Sequence, residues 1–150
     1  MRVVIQRVRK AEVTIDKKIH ASIQKGLLIL LGIEAMDKDE DIEWLCRKIT
    51  GLRIFDDSNQ VMNLSVCDVR AECLVVSQFT LFASTKKGNR PSYIRAAQPE
   101  MAVPLYEKFI ETLTRISQLP VKTGRFGANM QVELINDGPV TIIMDSKNKE

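Results

Sequence analysis

The stretch Leu27-Leu28-Ile29-Leu30-Leu31-Gly32-Ile33 constrains the fold more than any other part of the chain. A run of this length with no charge and no hydroxyl cannot leave one face in water, so it reads as a central β-strand covered on both sides. The residues before it supply neighbours. Val3 to Val8 begin a strand, Ala11-Glu12-Val13-Thr14-Ile15 alternates apolar and polar, Asp16-Lys17-Lys18 turns the chain, and Ile19-His20-Ala21-Ser22-Ile23 returns it. That is a hairpin with one wet face. Cys73-Leu74-Val75-Val76 reads as a second buried strand, and Met130 to Ile135 and Val140 to Met144 as two more.

Helical cover comes from two segments. Asp37 with Glu40 three residues later makes an N-terminal capping signature, after which Ile42, Leu45, Cys46, Ile49 and Leu52 recur at helical spacing, ending near Gly51. Val103, Tyr106, Phe109, Ile110 and Leu113 define a second helix that starts at Pro99 or Pro104, the latter costly if it lies deep in the helix. Between the helices, Arg53-Ile54-Phe55 reads as a short strand and Asp56 to Gln60 as its turn. With no repeat, linker or low-complexity tract, the 150 residues make one α/β domain over 1–145, a large mixed sheet partly covered by two helices. Residues 146–150 read as a solvated tail.

Charge and cysteine content narrow the function. A net charge of +3 permits contact with a polyanion without demanding it, and the cations are local: Lys86, Lys87, Arg90 and Arg95 in one segment, Lys122 and Arg125 around Gly124 in another. Cys46, Cys67 and Cys73 are odd in number and lack CxxC spacing, which argues against a disulfide framework and a zinc site and fits a reducing compartment. No apolar run reaches the length of a signal-peptide core or membrane span, so the reading is cytosolic, with no membrane partner and no cofactor.

Three motifs remain for chemistry. Gly138-Pro139, within Asn136-Asp137-Gly138-Pro139-Val140-Thr141, joins a residue free of Cβ restraint to the one residue for which a cis bond is cheap. It reads either as a turn between strands or as a unit that presents two carbonyls to a ligand. Ser77-Gln78-Phe79-Thr80-Leu81 lies at the exit of the second buried strand, where two hydroxyls and a carboxamide form a polar pocket or satisfy backbone groups. Ala83 to Gln98, with Gly88-Asn89-Arg90-Pro91-Ser92-Tyr93, is a long segment of the kind that is functional or mobile.

Taken in order with Ile5-Gln6-Arg7-Val8 and Thr123-Gly124-Arg125-Phe126-Gly127-Ala128-Asn129-Met130, these motifs resemble the D-aminoacyl-tRNA deacylases, formerly D-tyrosyl-tRNA deacylases, from about Met1 to Met144. The resemblance implies a homodimer of barrel-like subunits that cleaves D-aminoacyl-tRNA to tRNA and D-amino acid. It implies a cis Gly138-Pro139 bond that reaches the partner subunit's site and rejects L-aminoacyl groups, facing Ser77, Gln78, Phe79 and Thr80, so that the active sites lie at the subunit interface. Arg7 matches the arginine that holds the Gly-Pro unit, while Phe126 and Met130, with Phe79, match the pocket around the terminal adenosine. Lys86, Lys87 and Arg90 are candidate tRNA phosphate contacts. Tyr93 stands where many relatives have Phe.

The residue inventory bears on mechanism. A serine or threonine nucleophile needs a base, and the single histidine, His20, lies in a polar hairpin far along the chain from Thr80. Catalysis assisted by the 2'-hydroxyl of the terminal ribose fits the composition better, and such a site has no side chain to reject in glycyl-tRNA. A non-catalytic RNA-binding module is the alternative, although the few aromatics fall mostly in apolar patterns.

Overall fold

The computed structural model describes residues 1–149. Its order of elements is β1 (Arg2–Ile15), β2 (Lys18–Ile23), β3 (Gly26–Gly32), α1 (Asp39–Gly51), β4 (Phe55–Asp56), β5 (Met62–Leu64), β6 (Glu72–Ser77), a 3-10 turn (Phe79–Phe82), α2 (Pro99–Ser117), β7 (Val121–Thr123) and β8 (Gln131–Asp145). The two expected N-terminal strands are one, because β1 runs without a break for 14 residues. Its turn into β2 uses Asp16 and Lys17, both at positive φ (51° and 62°), the twist that suits a two-residue hairpin.

Along one edge of β1 lie β2 and β3 in succession, from Thr14 opposite Ile19 to Arg2 opposite Gly32. β8 pairs along the other edge, antiparallel, from Arg2 opposite Asp145 to Thr14 opposite Gln131. β6 is parallel to β3 and β7 parallel to β6, so the sheet is mixed. It rolls nearly shut where β2 comes back towards β6 and β7: the Lys122 ammonium donates to Ser22 O at 2.6 Å and pairs with Glu72 at 3.1 Å. A separate two-stranded ribbon, β4 with β5, replaces the single short strand expected at Arg53–Phe55.

The apolar run of β3 is buried on both sides, as its composition requires. Leu27, Ile29 and Leu31 join a cluster with Val3, Ile5, the α1 residues Ile42, Leu45, Cys46 and Ile49, and the α2 residues Tyr106, Phe109 and Leu113. Leu28 faces the opposite way, into the roll, with Val8, Val13, Ile23, Leu74 and Val76. Alternate side chains of a strand point to opposite faces, so one run seals both compartments. Helix α2 starts with Pro99 at its first turn and carries Pro104 inside, which removes one backbone donor to the preceding turn.

Two expectations need correction. The cap of α1 is one residue later than the Asp37 and Glu40 signature: the backbone N–H of Lys38 donates to Asp41 Oδ2 at 2.8 Å. Asp37 is occupied elsewhere, buried against the Met1 ammonium and accepting from the Glu34 N–H at 2.8 Å. The tail is not solvated at its start. Ser146 is buried, its N–H donating to Met1 O at 2.9 Å, and the Lys147 ammonium pairs with Asp41 at 2.7 Å. Glu150, the last residue of that segment, lies outside the described residues.

Candidate active site

β6 ends at Ser77, and the chain then folds into the 3-10 turn Phe79–Phe82 rather than continuing as strand. Gln78 is the cap of that turn, its N–H donating to Leu31 O at 2.7 Å, so the end of β3 holds the turn against the sheet. From the other side, Arg2 donates to Leu81 O at 2.7 Å, grips Asp145 through two nitrogens at 3.0 and 2.8 Å, and stacks over the buried Phe82 ring at 5.0 Å. The strand exit is thereby fixed by partners distant in sequence.

Ser77, Gln78 and Phe79 line a cleft of about 80 Å³ together with Phe126, whose ring forms part of its wall. Among the described residues no titratable side chain lines it. The Gln78 amide donates to the Thr80 hydroxyl at 2.5 Å. An amide cannot take a proton from that hydroxyl, so the geometry positions Thr80 without activating it. His20 is exposed on β2 and lines a different recess. Among the described residues no group of three or more His, Cys, Asp or Glu is placed to hold a metal ion.

Two aromatic contacts that local sequence pattern does not reveal set the walls. Phe79 is 55% exposed, and its ring meets Tyr93 of the 83–98 segment edge-on at 5.0 Å. Phe126 meets Tyr106 of α2 at 5.7 Å, and the Tyr106 hydroxyl donates to Val75 O at 3.0 Å. Burial pushes the Tyr106 phenol up from its ordinary pKa, so it stays a neutral donor. The 83–98 segment is pinned by reciprocal backbone hydrogen bonds between Ser84 and Ser92, at 2.8 and 2.9 Å. Lys86, Lys87 and Arg90 are exposed at its tip. Met130 is absent from the cleft wall and packs beside Gly124, where an added Cβ would lie 2.5 Å from the Met130 sulfur.

Gly138 and Pro139 are also absent from the cleft of this chain. They sit exposed within β8, where the pairing with β1 shifts register between Gln6 and Val8 and again between Val8 and Lys10. The unit is therefore a bulge in one 15-residue strand, not a turn between two. The Gly138–Pro139 peptide bond is cis, and Gly138 has φ of 143°, where an added Cβ would lie 2.6 Å from Val140 Cγ2. Arg7, almost wholly buried, donates to Asp137 O at 2.9 Å and to Ile54 O at 2.6 Å and pairs with Asp56 at 3.2 Å. Asn136 clasps the other side, accepting from the Val140 N–H at 2.8 Å. The exposed bulge is thus held from both sides.

The rolled mixed sheet with two helices is also the fold of solved proteins. The sequence model of the D-Tyr-tRNA(Tyr) deacylase family matches residues 4–145. The chain is 66% identical to the D-aminoacyl-tRNA deacylase of Flavobacterium psychrophilum and 63% identical to that of Bacteroides fragilis strain YCH46, each over the whole of both chains. Among solved structures it is similar to the c-Myc DNA Unwinding Element Binding Protein, with a TM-score of 0.91 and 41% identity, covering 97% of this chain and 98% of that one. A probable eukaryotic D-amino acid tRNA deacylase shares the fold, with a TM-score of 0.82 at 16% identity over 95% of this chain and 97% of that one. The chain belongs to the D-Tyr-tRNA(Tyr) deacylase family, a family of ester hydrolases.

Proposed function

We propose that this protein hydrolyses the ester between a D-amino acid and the 3' end of a tRNA, releasing free tRNA and D-amino acid. The observation that supports the reading, beside membership of the family, is a cleft walled by Ser77 to Phe79 and Phe126 that offers polar and aromatic groups but, among the described residues, no general base. Such a site suits a substrate that brings its own activating group. The 2'-hydroxyl of the terminal ribose lies beside the ester: water adds to the carbonyl carbon and gives up a proton to the 2'-oxygen, while the 2'-hydroxyl passes its own proton to the 3'-oxygen as the bond to that oxygen breaks. The protein positions the ester and stabilises the oxyanion. The N–H groups of Phe79 and Thr80 open the 3-10 turn, whose cap supplies no side-chain hydrogen bond, and they are the donors we assign to that task.

Selectivity rests on Gly138 and Pro139 of a second copy. In one chain they are absent from the cleft lining and are clasped by Arg7 and Asn136, so they serve a site only if a partner subunit receives them. Their carbonyls then occupy the side on which an L side chain would project, and a glycyl ester, having none, is cleaved as well. Lys86, Lys87 and Arg90 contact tRNA phosphate, and the enzyme works in the cytosol as a homodimer with its active sites at the interface. No described helix is long and apolar enough to cross a membrane.

The deciding experiment compares deacylation of D-tyrosyl-tRNA and L-tyrosyl-tRNA by the purified protein. Rapid loss of the D ester with the L ester spared supports the reading, and equal rates remove the chiral filter. Binding of tRNA without turnover would favour a non-catalytic RNA-binding module instead. Thr80→Ala should keep turnover within about tenfold, since a lost nucleophile costs several orders of magnitude.

A further inference from the structure

Among the described residues, ten of the 22 lysines and arginines of this protein have a carboxylate within ion-pair distance. Arg9 pairs with Asp137, Lys10 with Glu12 and Glu133, Arg47 and Arg115 with Glu43, Lys108 with Asp39, and Lys122 with Glu72. The tip of the β1–β2 hairpin differs. Lys17, Lys18 and Arg125 are all exposed, and among the described residues none of them forms an ion pair or a side-chain hydrogen bond. Lys18 and Arg125 line a recess of about 300 Å³ with Ile15, Asp16, Ile19 and His20, and Lys17 lies between Asp16 and Lys18 in the turn. One carboxylate, Asp16, opposes three cations, which leaves a local excess of positive charge.

The position of this recess matters more than its charge. Arg125 lines the recess and the next residue, Phe126, lines the cleft, so a single turn between β7 and β8 forms the partition between the two. The recess is thus a neighbour of the cleft, one residue away along that turn. Ile19, 66% exposed on the same wall, offers an apolar contact to a sugar or base beside a bound phosphate. Unpaired cations gain most from a phosphate because no internal salt bridge has to be broken first, and each neutralised phosphate releases counterion.

We infer that the recess between the β1–β2 hairpin tip and Arg125 is a second tRNA-binding site, which holds backbone phosphates upstream of the esterified nucleotide. The inference rests on the deacylase reading and extends it: the cleft binds the terminal nucleotide, and Lys17, Lys18 and Arg125 guide the strand leading to it. The recess contributes affinity for long substrates and none for the ester itself.

The test uses the full chain, wild type and the double variant Lys18→Glu with Arg125→Glu, on two substrates: D-tyrosyl-tRNA and the D-tyrosyl ester of adenosine. On tRNA the double variant should lose at least about tenfold in kcat/KM at low salt, through KM, and its salt dependence should flatten by about one logarithmic slope unit per cation removed. On the adenosine ester it should match the wild type, which also shows that the variant is folded. Unchanged kcat/KM on tRNA overturns the inference, and so does an equal loss on both substrates, which would mark a structural effect on the cleft. Wild-type protein that cleaves neither ester would instead remove the deacylase reading on which the inference stands.

Discussion

β3 and β8 both pair with β1 and differ in what covers them. β3 is buried on both faces, with Ile29 wholly inaccessible, whereas β8 alternates half-buried residues such as Val132, Leu134 and Ile142 with exposed Ile135 and Ile143. The first strand is committed to the interior, and its side chains serve packing, with Leu31 at its end also lining the cleft. The second spends one face on the core and leaves the other, with Gly138 and Pro139, for contacts outside the chain. Under the proposed function, the chiral filter is carried by the strand that the core does not saturate.

The contrast makes graded predictions. Ile29→Ala should cost about 2–5 kcal/mol, the range for emptying a sealed site, measured by denaturant unfolding. A loss no larger than that of an exposed substitution would break the comparison at once. Arg7→Lys comes next, because a lysine keeps the charge but cannot reach both Asp137 O and Ile54 O; on the order of 2–3 kcal/mol should be lost as buried carbonyls go unpartnered. Since Arg7 clasps the bulge, the same variant should also admit L-tyrosyl-tRNA; unfolding curves and paired D and L rates separate the two effects.

Gly138→Ala sharpens the point at one residue. A Cβ there meets Val140 Cγ2 at 2.6 Å and Val140 N at 2.9 Å, at a φ that L residues rarely adopt. About 1–3 kcal/mol should be lost, with chiral discrimination falling further than the rate on the D ester. Retained discrimination would show that the bulge is not the filter.

The far end of β8 tests its tether by pH. Burial pushes the Asp41 carboxyl up, but hydrogen bonds from Lys147, Ser146 and the Lys38 N–H outweigh that and hold it at about 2 against an ordinary 3.8. A depressed folded value means stabilisation that is complete above the unfolded pKa and lost as pH falls from about 4 towards 2, on the order of 2 kcal/mol in all. Asp41→Asn should flatten that acid limb of the unfolding midpoint; an unaltered limb would show the tether adds nothing. The smallest effect is expected for Ile143→Ala in the isolated chain, within about 0.5 kcal/mol. A larger loss that grows with protein concentration would mean the exposed face of β8 is covered by a second copy.

The sequence by itself determined the elements whose evidence is local. The β3 run had to be covered twice because none of its side chains tolerates water, the spacing of Ile42, Leu45, Cys46 and Ile49 could serve only a helix face, and Asp16-Lys17 could close a hairpin because neighbouring strands twist one way. It also carried the motifs that place the chain in its family. The tertiary structure alone decided which groups became partners. Asp37 lost its cap to the Met1 ammonium, Gly138-Pro139 became a bulge because β1 pairs on both sides of it, and Tyr93 and Tyr106 became the supports of Phe79 and Phe126. Those outcomes depend on residues tens of positions apart arriving at one place, and periodicity in a short window holds no information about such meetings.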